Sequence, residues 1–185
     1  RTKRRNRIAS LNKPTQGWYK HGRAPRILRL LPGLLSCTTT AERKKQTMST
    51  LLGPAKQFFD ACESGKGWEG CKAYCHPGAT FSAQAGALTS ISTVEGYCDW
   101  MKNLFTPIPD GRYELKFFAA DEERNSVAAF AVFHGTQTGP GGPVPATGKK
   151  IAADYVYHMV FEGGRIKHMT KIWNDTISLQ QLGWA

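Results

Sequence analysis

The stretch from Pro143 to Trp184, PVPATGKKIAADYVYHMVFEGGRIKHMTKIWNDTISLQQLGW, constrains the fold more than any other part of the chain. Two runs with strand character, Ile151 to Glu162 and Arg165 to Asn174, flank the turn Gly163-Gly164. Successive side chains of a strand alternate between its two faces. Ala153, Tyr155, Tyr157, Met159 and Phe161 therefore share one face of the first run, and Met169, Lys171, Trp173 and Asp175 continue that face along the second. An apolar wall carrying phenols, an ammonium and a carboxylate has the character of a pocket lining, and function is expected there.

The rest of the chain sets outer bounds. Its 185 residues suit one domain, and 41% hydrophobic residues suffice for a core. No apolar run approaches the ~20 residues that span a bilayer. The longest cluster, Ile27 to Leu35, is interrupted by Arg29, Pro32 and Gly33. Five cysteines, Cys37, Cys62, Cys71, Cys75 and Cys98, form an odd and scattered set. That pattern suits a reducing compartment and not a disulfide framework, so a cytoplasmic location is expected.

The net charge of +11 belongs to one end of the molecule. Residues 1–47 hold 13 Lys or Arg against one acid, Glu42, whereas residues 48–185 hold 12 Lys or Arg against 13 Asp or Glu. The N-terminal segment shows no sustained period of 3.6 or 2.0 and interleaves Pro, Gly and Arg, so it is expected to be a largely disordered basic extension. Three readings of it stand side by side. It is an organellar presequence, which would make the location mitochondrial or another organelle; or an arm that docks an acidic partner or larger complex through its charge; or an upstream extension without a role. Met48-Ser-Thr reads as a natural start directly before a folded domain over residues 48–185.

Within that domain, Leu51, Leu52, Ala55, Phe58, Phe59 and Cys62 repeat at helical spacing. A second helix is predicted from Trp68 to His76, then a strand from Ala79 to Gln84 after Pro77-Gly78. Ser92 and Glu95 have capping-box spacing before a helix whose face is Val94, Tyr97, Cys98, Met101, Leu104 and Phe105. Strands are predicted over Arg112 to Ala120, over Ser126 to Thr138, and over the two runs of the closing hairpin. Helices first and an antiparallel sheet after define an α+β protein. A strongly curved sheet wrapped around the helices would enclose a cavity.

The run GTQTGPGGPVPATGKK, then a strand, FEGGRI, a second strand and a closing LQQLGW, resembles the SnoaL-like polyketide and ester cyclases. These belong to the wider nuclear-transport-factor-like, ketosteroid-isomerase-like superfamily. The resemblance covers about Met48 to Ala185 and implies a cone-shaped α+β fold, a curved antiparallel sheet around N-terminal helices enclosing a pocket. It implies a small hydrophobic ligand, and a homodimer formed through the convex sheet face, on which His158 would lie. In SnoaL-like cyclases an aspartate near the end of the last strand acts as general acid/base; the matching position here is Asn174, and Asp175 follows it. The base position of ketosteroid isomerases matches Ala83, which speaks against steroid-type isomerisation. Their oxyanion-stabilising acid falls at Tyr157, whose phenol can donate an equivalent hydrogen bond.

The expected site is thus Asp175, Asn174 and Tyr157 as catalytic groups, with Tyr155, Lys171, Trp173 and Met169 as ligand-binding walls. Such a site requires no metal and no organic cofactor. Two functions of different class remain open: a cofactor-independent cyclase or isomerase acting on a hydrophobic carbonyl compound, and a non-catalytic binding or assembly subunit. Cys71, Cys75 and His76 offer too few ligands on one helix face for a tetrahedral metal site, so a buried structural role is expected. Gly139-Pro-Gly-Gly-Pro lacks the GK[ST] ending of a phosphate loop and reads as a connection between strands.

Overall fold

The computed structural model describes residues 50–185. The basic extension over residues 1–47, and every reading of it, lies outside the described residues.

Each helix follows from its local sequence. Helix α1 (Leu52–Glu63) buries Ala55, Phe58, Phe59 and Cys62, the stripe its periodicity predicts. Helix α2 (Gly67–Cys71) is shorter than predicted and passes through a 3-10 turn at Lys72–Tyr74 into strand β1 (Cys75–Ala83). Pro77 explains the difference, because a residue preceding proline is pushed out of helical geometry. The strand runs through Pro77-Gly78 with a register shift between Cys75 and Thr80, which an edge strand tolerates. Helix α3 (Val94–Leu104) is capped by Thr93, one residue later than Ser92, through a bond from the Gly96 amide.

Strands β2 (Arg112–Asp121), β3 (Ser126–Thr136), β4 (Lys150–Glu162) and β5 (Arg165–Trp173) complete the sheet, in the order β1-β5-β4-β3-β2. The β4–β5 turn, Gly163-Gly164, has positive φ at both glycines, as a two-residue hairpin of the primed type requires.

This sheet corrects the expected cone. It is mixed, not antiparallel: β1 pairs with β5 in parallel, and the other pairs are antiparallel. It is open and not strongly curled, with β1 and β2 as its two edges and no ladder joining them. The parallel pair arises because nearly the whole domain separates β1 from β5, ample length for a crossover. Enclosure of the pocket therefore falls to the helices.

One sheet face is buried. Ala129, Ala131, Tyr155, Tyr157, Met159 and Met169 are all at most 2% exposed. From this face Tyr155 and Tyr157 pack against Phe59 of α1, and Tyr157 also against Tyr97 of α3. On the other face Phe117, Phe130, Val156 and Ile172 lie in register as an apolar row, with Phe117 53% and Ile172 56% exposed. Among the described residues no helix is long and apolar enough to cross a membrane.

Beyond β5 the chain forms an unpredicted helix, α4 (Asp175–Leu182), capped by Asn174. It ends on Gly183 at φ 73°, with Gly183 N–H on Gln180 C=O and Trp184 N–H on Leu179 C=O. This Schellman arrangement needs a left-handed residue and folds Trp184 back over the helix.

The loop before β4 is pinned just as tightly. Gly139 N–H bonds Pro107 C=O, and a β-carbon at Gly139 would lie 1.9 Å from the Thr106 carbonyl oxygen. Gly139→Ala is expected to lose about 1–3 kcal/mol. Gly53→Ala, in a helix with nothing within 4 Å, should gain up to about 1 kcal/mol. Urea unfolding midpoints check both, and equal midpoints for the two variants would contradict the packing described.

Candidate functional site

A cavity of about 220 Å³ lies between the buried sheet face, α3 and α4. Its walls are overwhelmingly apolar: Trp100, Met101 and Leu104 from α3, Phe133 and Ile151 from the sheet, and Leu179, Leu182 and Trp184 from the C-terminal segment. Tyr155, Lys171 and Trp173 line it as well, which makes Lys171 the one charged wall residue among the described residues.

The register explains why these groups meet. Across the sheet Ala131 faces Tyr155, which faces Trp173, and Ala129 faces Tyr157, which faces Lys171. The small alanines on β3 leave room for two phenols on β4, and β5 adds the amine and the indole on the same side. Trp173 is further held by its indole N–H, which donates to Ser178 Oγ of α4 at 2.7 Å.

Behind the pocket runs a chain of buried polar groups. Lys171 Nζ donates to Tyr97 Oη at 2.7 Å. The Tyr97 and Tyr157 hydroxyls are hydrogen-bonded to each other, and Tyr157 donates to one carboxylate oxygen of Glu63. Tyr155 donates to the other oxygen at 2.6 Å. Because Tyr157 spends its single proton on Glu63, Tyr97 is the donor between the two phenols. All donors therefore point one way, from Lys171 to Glu63.

Burial governs the ionisation of this row. Glu63 is 1% exposed, and desolvation pushes its carboxyl above the usual carboxylate range, while the Lys171 charge and the two phenol hydrogen bonds pull it back. Desolvation pulls Lys171 below the usual lysine range, against the Glu63 charge. Burial, and then the Glu63 charge, push Tyr97, Tyr155 and Tyr157 up, so all three remain neutral donors. The Lys171 ammonium also lies 4.7–5.9 Å from the ring centres of Tyr97, Trp100, Tyr155, Tyr157 and Trp173, within cation–π range.

The expected site residues divide into three groups. Tyr155, Lys171 and Trp173 meet at the cavity. Tyr157 lies two hydrogen bonds behind Lys171, and Met169 is fully buried in the core between Phe81 and Met159. Asn174 and Asp175 take helix-terminal roles: Asn174 Oδ1 accepts the Ile177 amide at 3.2 Å, and Asp175 Oδ2 accepts the Ala87 amide at 2.8 Å. The alternation that put Asp175 on the inner face stops at Trp173, where strand becomes helix.

Sequence reasoning missed Glu63 and Tyr97. A signal for Glu63 was present, since an acid four residues after Phe59 falls on the apolar stripe of α1. In the sequence Tyr97 reads as part of the apolar face of α3 and nothing more.

An open α+β sheet and helices enclosing an apolar cavity with a few convergent polar groups define a ligand-pocket protein. Within that class the chain belongs to the SnoaL-like domain family, which matches residues 55–169, and so to the nuclear-transport-factor-2-like superfamily. Similar solved structures share its fold. AclR, a candidate hydroxylase of Streptomyces galilaeus, is 19% identical, with 80% of this chain and 84% of that one covered at a TM-score of 0.58. A candidate SnoaL-like polyketide cyclase of Jannaschia sp. CCS1 is 16% identical, with 77% and 96% covered and a TM-score of 0.60. A candidate polyketide cyclase of Acidithiobacillus ferrooxidans is 22% identical, with 74% and 96% covered and a TM-score of 0.57. No curated protein matches the chain.

The buried row carries a pH signature. The folded-state pKa of Glu63 lies above its unfolded value, so its contribution to stability is full below about pH 4.3 and is lost as pH rises through the folded value. Removing the Lys171 charge raises that folded value further. Lys171→Met should therefore lose more stability than the unmodified protein as pH rises above about 4.5, read as thermal midpoints at a series of pH values. Parallel pH profiles would contradict the coupling.

Proposed function

We propose that this protein is a cofactor-independent enzyme that moves a proton alpha to the carbonyl of a small hydrophobic compound, in an isomerisation or an intramolecular ring closure. The observation that carries this reading is the Lys171 amine at the wall of an apolar cavity, joined by two phenols to a buried carboxyl.

In this reading Lys171 in its amine form takes the alpha proton. The resulting ammonium then sits beside the enolate oxygen and stabilises it in a low-dielectric pocket, where such a charge acts strongly. The proton returns to the substrate at its new position, or leaves along the row. Tyr97 accepts from Lys171 and passes its own proton to Tyr157, and Tyr157 passes its own to Glu63. Burial favours the uncharged forms of both end groups, which brings a lysine toward the pH range where a general base works. Tyr155, tied to Glu63, and Trp173, tied to α4, shape the wall and keep the amine aimed.

Cavity size bounds the substrate. An apolar cavity of about 150 Å³ accepts one benzene ring, so about 220 Å³ suits a one-ring or small two-ring compound. The aromatic cage around Lys171 favours a second reading, a binding protein that holds an anionic or enolic ligand on a permanently charged ammonium.

Turnover of a panel of small cyclic and aryl ketones separates the two. Lys171→Met should lower kcat about 10²- to 10⁴-fold, the usual worth of a general acid/base group. The rate should climb with pH through the depressed Lys171 pKa. Glu63→Gln should move that rise to lower pH, because the Glu63 charge holds the lysine up. Tight binding with no proton exchange in deuterated water would favour the binding reading instead.

A further inference from the structure

Three cysteines meet where the first three helices converge. Cys62 on α1, Cys71 at the end of α2 and Cys98 on α3 carry Sγ atoms that all lie within 4.8 Å of one another. All three residues are 0% exposed, and all three thiols are free. Neither spacing nor motif marks them in the sequence, because each comes from a different helix.

Buried thiols often serve as small apolar filler. Filler does not require three of them, from three different elements, to bring their sulfurs within 4.8 Å of one another. Sulfurs held at ~2.3 Å from one centre lie about 3.5 Å apart in a pyramid and about 4 Å apart in a plane, so sulfurs already within 4.8 Å of one another have a short way to move. The helices that carry them hold the donors ready. Among the described residues no fourth His, Cys, Asp or Glu atom joins the group. Structural zinc takes four ligands, whereas soft thiophilic ions accept three.

Dryness selects among the soft ions. Three thiolates around a monovalent ion leave two uncompensated negative charges in a region closed to water, which is costly. Three thiolates around a trivalent centre are neutral. With arsenous acid the balance is complete: three S–H bonds and three As–O bonds break, three As–S bonds form, and three waters leave with no change of oxidation state.

We propose that Cys62, Cys71 and Cys98 form a three-coordinate site for a trivalent thiophilic ion of the arsenite class. The site is separate from the cavity, although Cys62 directly precedes Glu63 and so joins it to the buried acid. An ion there would tie α1, α2 and α3 together.

The test uses the full chain carrying Cys37→Ser, reduced with a phosphine, and sodium arsenite as the probe. Native mass spectrometry should show a one-to-one adduct that has lost all three oxygens of the acid. X-ray absorption should show three sulfurs at the arsenic, and the thermal midpoint should rise. Cys75→Ala should keep the adduct. Cys62→Ala, Cys71→Ala and Cys98→Ala should each lose it, with circular dichroism confirming that the variants are folded. Absence of an adduct at stoichiometric arsenite, a two-sulfur adduct that keeps an oxygen, an adduct that survives Cys98→Ala, or capture of cuprous ion but not arsenite would each overturn the proposal. The absorption measurement needs no cysteine variant of the triad, so the proposal stays testable if those variants do not fold.

Discussion

A carboxyl and an amine are buried in one core without touching, and two phenols join them. Glu63 and Lys171 each lose hydration on folding, which would be prohibitive for isolated charges. The Tyr97 and Tyr157 hydroxyls supply each with a hydrogen-bond partner and connect the two. Much of the architecture serves this accommodation. Helix α1 ends on the residue that carries the acid, β3 offers alanines opposite the phenols, and β5 brings the lysine into register with Tyr157. The phenols also stack or pack edge-on with Phe59 and Phe81, so the polar row is set within an aromatic shell.

The cavity owes its closure to the segment after the sheet. An open sheet cannot surround a ligand alone, and here α4 supplies the missing wall through Leu179, Leu182 and Trp184. The Asn174 cap starts that helix, and the left-handed Gly183 ends it and turns Trp184 inward. At the end of the last strand Asn174 accepts the Ile177 amide and Asp175 the Ala87 amide, while Lys171 lines the cavity itself.

The hairpin was legible because strand alternation has a fixed period and two glycines mark its turn; the shared face of Tyr155, Tyr157, Lys171 and Trp173 followed from that alone. Element order also led to the right family. The sheet was less legible. Parallel pairing of β1 with β5 joins segments nearly ninety residues apart, and no local pattern reports it. Helix α4 was missed because TISLQQL has no strong apolar face, and its start depends on an Asn side chain that serves equally well in a turn. Glu63 escaped notice for a related reason: an acid at a helix end, before Gly65-Lys66-Gly67, has the local appearance of a solvated terminus. Only the fold brings Tyr155 and Tyr157 onto it, across more than ninety positions of sequence.

The proposed chemistry requires Lys171 and Glu63 to share protons as one unit through Tyr97 and Tyr157. Nitrogen NMR of the Lys171 side chain, titrated in the unmodified protein and in Glu63→Gln, addresses it directly. One lysine Nζ resonance is expected to titrate below the ordinary lysine range and to move lower still when Glu63 is neutralised. A Lys171 that titrates with the surface lysines, or one indifferent to Glu63→Gln, would contradict it.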